Sequence, residues 1–397
     1  MTEHVDLTFP PPAPCPYEPA PAFAELRPQC PVAKVGLPTG DVAWLVTRYA
    51  DNQRLLSDGT FSRAAAAAPG APRARPIPLE TRSIMTMDPP DHTRLRRLVQ
   101  RAFTGRRVSG MRPGIEATVG RLLDAMADAG PPADLVAGLA QPLPLAVIGE
   151  LLGVPATDHA DFGGWSEAYL STSGRSPAEV AEASAHLREY LWKLVADKRR
   201  EPSEDLLSDL AAARDDDRLD DEELVTLGVT LLVAGFETVA SHLAGFVVAL
   251  LRHPEQWRSL CERPDLLRSA VEELLRYTPV AATGGTIRVS LADVELGGQE
   301  VLAGEAVLPA LTSANRDPAV FSAPDELDLR RTPNPHLAFG YGLHRCLGAE
   351  LARAQLQIAL GALVTRFPGL RLAVPLEELT WPAGRMLRYP RPLPVAW

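Results

Sequence analysis

The sequence predicts a mainly α-helical protein with a minor β region. Helical patterns follow one another from Asp91 to about residue 253 and return over residues 349–366. Residues 31–49 hold two short apolar, β-rich runs around a Gly/Pro turn, and residues 280–312 alternate and carry Gly-Gly. A period of two is typical of strands, whereas recurrence every three to four residues is typical of helices. Strands are therefore expected only at the two ends of the chain and after residue 280.

Composition excludes several classes of protein. The chain has 397 residues, of which 46% are hydrophobic and 23% charged, so a disordered or fibrous protein is excluded. Its formal net charge of −10 argues against a general nucleic-acid coat. Four scattered cysteines form no disulfide framework, which favours a reducing cytoplasm. Residues 1–16 lack the basic start and apolar segment of a signal peptide.

The N-terminal third is predicted to be irregular apart from one hairpin. Residues 10–31 contain nine prolines, which indicates an arm with little helix or strand. The two runs within residues 31–49 predict a hairpin because a turn separates them. Residues 63–76 are rich in Ala and Pro and are predicted to form a low-complexity loop.

The helical region carries clear start signals. Ser176 is followed by Pro177 and, three residues after the serine, by Glu179, which predicts a capped helix start. A second start lies near Asp220, with acidic residues in the first turn. The tail, residues 370–397, is predicted to form short strands, and no internal repeat is visible.

Residues 224–251 form an apolar segment that is long enough to span a bilayer. Only Glu237 and His242 interrupt it. A central helix buried on all sides has the same composition. The mid-span carboxylate, the acidic N-terminal flank and the lack of an aromatic belt favour the buried helix.

The strongest chemical signal lies in residues 336–356, where Cys346 stands in a Gly-rich loop that is followed at once by a helical pattern. Backbone N–H groups at a helix N-terminus stabilise a thiolate. Gly342 and Gly348 allow the backbone to fold tightly around the sulfur, and Gly340 leaves room for a flat ligand. A buried structural cysteine is the simpler alternative, and a zinc site lacks further ligands at the required spacing.

The segment FGYGLHRCLG resembles the Phe-x-x-Gly-x-His/Arg-x-Cys-x-Gly loop of the cytochromes P450, the haem-thiolate monooxygenases. Three further motifs occur in the order of that family, and the resemblance covers essentially all of residues 1–397. It implies a single domain with the cytochrome P450 fold, of the soluble bacterial type. That domain would comprise a Pro-rich arm (1–31), a central helix (224–251) and the haem-thiolate loop and helix (336–356).

The resemblance also assigns roles to the loop and to the central helix. Cys346 would be the axial ligand of a haem b iron, and Phe339 would shield the sulfur. Glu237 would relay protons and Thr238 would hold dioxygen and water, while the small Ala234 leaves space for oxygen and substrate. From the residues alone, a buried carboxylate needs a partner, and a threonine hydroxyl can bond to the carbonyl four residues back.

Two more motifs have supporting roles. Glu273 and Arg276 lie three apart on a helix and can pair; the resemblance makes them a structural buttress of the Cys loop, with Arg331 as a third member. The haem propionates require cations, and the resemblance assigns these to His92, Arg96, Arg288 and His344. Seven arginines lie between residues 94 and 112, which indicates either a solvated basic face or a docking patch for an acidic electron donor.

Three regions match places where the family lines its substrate pocket: the loop 62–84, residues 279–284 and the tip near Met386. Their apolar, small side chains predict a roomy pocket for a largely apolar substrate. The candidate lining residues are Ala234, Val280, Ala281, Ala282, Met386 and Leu387.

The resulting hypothesis is a cytoplasmic monooxygenase that inserts one atom of O2 into a C–H bond or a double bond. The resemblance implies electrons from NAD(P)H through a ferredoxin reductase and a ferredoxin, because no flavin or Fe–S region is fused to the sequence. It implies bacterial secondary metabolism, with a substrate either free or tethered to a carrier, and neither nucleic acid nor membrane as partner. Oxidative ring coupling, a haem-binding gas sensor and a cofactor-free helical scaffold are the alternatives.

Overall fold

The computed structural model describes residues 7–74, 79–169, 175–212, 219–281, 284–382 and 387–397. Helices dominate these ranges, so the predicted mainly α class is confirmed. The α-helices are α1 (Ala22–Gln29), α2 (Tyr49–Ser57), α3 (Arg63–Ala67), α4 (Asp91–Val99), α5 (Gly105–Ala129), α6 (Pro142–Leu152), α7 (His159–Tyr169), α8 (Pro177–Arg200), α9 (Leu206–Ala211), α10 (Asp221–Leu251), α11 (Pro254–Glu262), α12 (Leu267–Tyr277), α13 (Leu311–Ala314) and α14 (Ala349–Arg366). The strands are β1 (Leu7–Thr8), β2 (Val32–Gly36), β3 (Val42–Val46), β4 (Phe61–Ser62), β5 (Ala133–Asp134), β6 (Arg288–Ser290), β7 (Val294–Leu296), β8 (Gln299–Val301), β9 (Ala306–Pro309), β10 (Arg371–Leu372) and β11 (Pro394–Ala396).

The chain forms two compact units. The first comprises Met1–Thr81, Met85–Asp88 and Glu272–Cys346, and the second Arg82–Ile84, Pro89–Val271 and Leu347–Trp397.

The first unit is built on a six-stranded sheet with the order β1-β2-β3-β9-β6-β4. The predicted hairpin is confirmed: β2 and β3 pair antiparallel, with Val32 opposite Val46. β7 and β8 form a separate antiparallel pair, as the Gly-Gly between them requires. One face of the large sheet buries Phe23 and Leu26 of α1 in its apolar core.

The prediction that residues 10–31 contain little helix is wrong for α1. Pro21 stands at the helix N-cap with φ −56°, a value that already suits a helix, and Pro28 lies at the C-terminal end. Burial of Phe23 and Leu26 adds the apolar contacts that propensity alone would not supply. The loop predicted at residues 63–76 likewise begins as α3, because the Ser62 hydroxyl caps it by accepting from the Ala65 N–H at 2.8 Å.

The second unit is helical, with one small sheet of order β10-β11-β5. Both predicted helix starts are confirmed, because Ser176 with Glu179 and Asp220 with Glu223 form capping boxes. At its centre α10 packs against α6, α8 and α14. By length and composition α10 could cross a membrane, but 78% of its most apolar window is buried within the protein, as the core-helix prediction requires.

Candidate functional site

Backbone geometry fixes the loop that carries Cys346. The Cys346 N–H donates to the Phe339 carbonyl at 2.8 Å and closes the loop. Gly340 and Gly342 have φ of +69° and +67°, which L side chains rarely adopt. A Cβ at Gly342 would also lie 2.5 Å from the Leu56 carbonyl oxygen. Cys346 itself is exposed, so its thiol is accessible to a ligand.

The glycines of this loop differ in what they contribute. A Cβ at Gly340 would have only the His344 carbonyl as a near neighbour among the described residues, at 3.9 Å, so there is room beside it. The tight-fold role of Gly348 stays a prediction, because its backbone and surroundings do not themselves require a glycine. Gly348 has φ −85° at the N-cap of α14, and a Cβ there would meet Phe103 at an ordinary 3.8 Å.

In α10, the Thr238 hydroxyl donates to the Ala234 carbonyl at 2.5 Å, the backbone bond that the sequence predicts. Ala234 is exposed and Thr238 half-buried, although most of the helix is buried. This face of α10 is therefore open. His242 donates from Nδ1 to the Thr238 carbonyl at 2.7 Å, which fits a satisfied histidine rather than a ligand.

Glu237 is 2% exposed, and its Oε2 accepts a hydrogen bond from the Tyr389 hydroxyl at 2.9 Å. Arg391 lies close by and donates to Glu167 at 3.1 Å. Burial lowers the pKa of Arg391, but Tyr389, Glu167 and Glu237 raise it above its usual range. The carboxylate of Glu237 thus lies among donors from the C-terminal segment. Sequence reasoning missed Tyr389, and only the rule that a buried carboxylate needs a donor could have prompted the search.

Glu273, Arg276 and Arg331 lie together and are named here the Glu273 cluster. Arg276 donates to both Glu273 oxygens at 2.7 and 2.8 Å, and Arg331 Nε lies 3.0 and 3.1 Å from them. Glu273 and Arg276 are buried, and burial lowers the pKa of Arg276 although Glu273 opposes the shift. The remaining N–H groups of the two arginines donate to main-chain carbonyls of Asn315, Ser322, Ala323, Pro324 and Glu326.

The residues assigned to the propionates belong to both units. In the second unit, His92 and Arg96 lie one turn apart on α4, with His92 fully buried and Arg96 half-buried. In the first unit, Arg288 is 4% exposed and His344 half-buried. Arg288 donates from Nη1 to the Phe61 carbonyl at 3.2 Å, and burial lowers its pKa to about 10 while Asp88 opposes the shift.

The donor set of the first unit fits the haem that the resemblance implies. The Nε of the buried Arg288 has no hydrogen-bond partner among the described residues. A buried guanidinium without a paired anion is costly, and a propionate would supply the anion. The exposed Cys346 and the room beside Gly340 provide the ligand and the space that a flat, iron-bearing group needs.

The candidate pocket residues are only partly described. Ala282 and Met386 lie outside the described residues. Val280 and Ala281 are half-buried just after α12, where the Ala281 carbonyl accepts from the Thr312 hydroxyl at 3.3 Å. Leu387 is half-buried in the second unit.

Comparison with known proteins identifies the family. The model of the cytochrome P450 family matches residues 170–370. The chain is 53% identical to nocardicin C N-oxygenase of Nocardia uniformis subsp. tsuyamanensis over 378 residues, 95% of each chain. It is 46% identical to mycinamicin IV hydroxylase/epoxidase of Micromonospora griseorubida over 94% of each chain. The crystal structure of HinD with NMFT and NO superposes with a TM-score of 0.94 at 49% identity, covering 99% of this chain and 100% of that one.

Relatives this similar over nearly the full length share the fold and the class of chemistry. The chain therefore belongs to the cytochrome P450 family, as a haem-dependent monooxygenase of the soluble bacterial type that occurs in secondary-metabolite pathways.

Proposed function

We propose that the Cys346 thiolate ligates the iron of a haem b, and that His92, Arg96, Arg288 and His344 bind its propionates. When bound, this haem supplies the reductive activation of dioxygen, and an anionic sulfur ligand favours O–O cleavage. The observation that carries the proposal is the Cys346 loop, closed by its own backbone and open at the thiol. Phe339 would shield the sulfur and Gly340 would admit the ring.

Glu237 and Thr238 would handle protons. Tyr389 holds one oxygen of the Glu237 carboxyl, and the carboxyl can pass a proton from this buried position. The Thr238 hydroxyl gives its hydrogen to the Ala234 carbonyl, so its lone pairs remain available to accept from a guest on the open face of α10. The accessible surface at Ala234 would be covered by oxygen and substrate.

The substrate would be a largely apolar small molecule of bacterial secondary metabolism, free or tethered to a carrier. The names of the two relatives, an N-oxygenase and a hydroxylase/epoxidase, describe insertion of one oxygen atom, which supports the same outcome here. Electrons would pass from NAD(P)H through a ferredoxin reductase and a ferredoxin in the cytoplasm. Val280, Ala281, Ala282, Met386 and Leu387 remain candidates for the pocket lining.

The test is an optical titration of the purified ferric protein against macrolides, terpenes, aromatic polyketides and cyclic dipeptides. We expect a haem spectrum that shifts from low to high spin with one class of compound. We also expect the ferrous–CO absorbance band that is characteristic of a thiolate ligand, and Cys346→Ser should abolish that band. A product with one added oxygen would support the proposal. A coupled-ring product would support oxidative coupling instead, and haem without NADPH consumption would support a sensor.

A further inference from the structure

Two arginines of the first unit stand opposite each other. β4 pairs antiparallel with β6, so that Ser62 lies opposite Val289. Continuing this register by one residue places Arg63 opposite Arg288. Like charges at opposed positions of neighbouring strands repel, so this pairing requires a compensating negative charge.

Both guanidiniums are buried, with exposed fractions of 5% for Arg63 and 4% for Arg288. Arg63 donates from Nη1 to the Thr286 hydroxyl at 2.6 Å, and Arg288 donates to the Phe61 carbonyl. The Nε of each has no partner among the described residues. Both bonds go to neutral oxygens, so they do not balance the two charges.

Asp88 is the carboxylate that acts on both arginines, and it is engaged elsewhere. It accepts from the main-chain N–H groups of Arg63 at 3.0 Å and Ala64 at 3.3 Å, and from the Ser62 hydroxyl. Burial, with Arg288 adding and Asp88 opposing, lowers the pKa of Arg63 to about 9. One carboxylate against two cations leaves a buried positive charge.

We propose that Arg63 and Arg288 together bind one carboxylate group and that this group is a haem propionate, which makes Arg63 a further haem-binding residue. The inference rests on the proposed function, because it requires the haem. A resident carboxylate compensates the buried charge permanently. A carboxylate on a substrate would leave the charge uncompensated after every product release.

The experiment measures haem retention in the substrate-free protein. The ferric holoprotein is mixed with excess apomyoglobin, and the rate of haem transfer is followed optically. The variants are Arg63→Met, Arg63→Lys and, as a matched control on the exposed surface of α2, Arg54→Met. We expect Arg63→Met to lose haem at least about tenfold faster, as loss of a charge-assisted bond implies, with Arg63→Lys in between and Arg54→Met unchanged.

A second arm identifies the group that Arg63 contacts. Parent and Arg63→Met are loaded with iron protoporphyrin IX dimethyl ester, whose propionates are neutral. The difference between them should then disappear. If Arg63→Met speeds haem loss equally with both haems, its role is merely structural and the proposal is overturned. Arg63→Lys, which keeps the charge, covers the case in which Arg63→Met does not fold.

The two sources of the carboxylate give different results. If Arg63→Met retains haem like the parent but no longer binds carboxylate-bearing ligands in preference to their methyl esters, the group belongs to the substrate and the inference fails. A parent protein that binds no haem would contradict the proposed function itself. The inference alone fails if the parent holds haem and the variants do not differ.

Discussion

A threonine hydroxyl that bonds its own helix, as Thr238 does, is held in one orientation. We expect Thr238→Ala to keep haem and substrate binding and to lower product formed per electron about a hundredfold, the low end of what a positioned acid–base group contributes. Product, peroxide and NADPH consumption measured together would show this loss.

Ser241 offers the matched control for Thr238. Its hydroxyl bonds the Glu237 carbonyl at 2.6 Å on the same helix, but the side chain is fully buried. Ser241→Ala should leave product per electron unchanged. Equal product per electron in Thr238→Ala and the parent would refute the proton-handling role.

Tyr389 donates a hydrogen bond to the buried Glu237 carboxylate. Tyr389→Phe removes this hydroxyl while keeping the ring, so the buried carboxylate loses a bond and its proton affinity rises. We expect the acidic limb of the pH–rate profile to move to higher pH, with the folded structure retained. A profile that superposes on that of the parent would mean that the bond does not influence proton transfer.

Residues in local motifs could be predicted from the sequence, whereas those recruited across the fold could not. Thr238 and its carbonyl partner lie four residues apart, so the helix period alone places them together. Tyr389 lies 152 positions from Glu237, and Arg63 is brought opposite Arg288 only by strand pairing. Nothing in the local sequence around either residue specifies that partner.

The Glu273 cluster connects α12 to the loop that follows α13. Glu273→Gln leaves the buried Arg276 and the half-buried Arg331 without their shared carboxylate, and breaking a buried pair in this way costs about 3–5 kcal/mol. We expect a large fall in the thermal unfolding temperature, accompanied by loss of haem. Both are measured in one optical melting experiment.

An exposed pair provides the control for that variant. Glu350 and Arg353 have the same spacing of three on α14 and lie 2.9 Å apart, but Glu350 is 58% exposed. Glu350→Gln should cost less than about 1 kcal/mol. Similar unfolding temperatures for the two variants would contradict the structural role of the cluster.

Several helix boundaries could be predicted from periodicity or from capping residues. α14 spans the predicted residues 349–366, and the starts of α8 and α10 are marked by their capping boxes. α1 was missed because proline counting describes propensity, whereas the helix is stabilised by burial against a sheet that assembles from distant strands.

At the scale of the whole molecule, the distribution of charge says more about where a redox partner would dock than the net charge does. The chain carries −10 overall, yet Arg97, Arg101 and Arg106 are exposed within one arginine-rich stretch. If this stretch docks an acidic ferredoxin, the second-order rate of reduction should fall steeply with salt. The variant with Arg97, Arg101 and Arg106 all changed to Gln should be reduced more slowly at low salt. Its rate of reduction should also depend less on salt, and stopped-flow reduction would measure both effects.

The matched control changes the same number of arginines elsewhere. Arg54, Arg175 and Arg258 are exposed and lie outside that stretch, so their exchange to Gln alters net charge equally. A salt dependence reduced to the same extent in both triple variants would assign the effect to net charge, and the docking patch would be refuted.

The arginines of the Glu273 cluster contact oxygens of the main chain, so these contacts do not depend on which side chains the loop carries. A carbonyl is present whatever the side chain, so substitutions at Ser322 or Glu326 keep the acceptors in place. Insertion or deletion of one residue between Asn315 and Arg331 would instead move the acceptors out of register with fixed donors. This loop should therefore tolerate substitutions but not insertions or deletions.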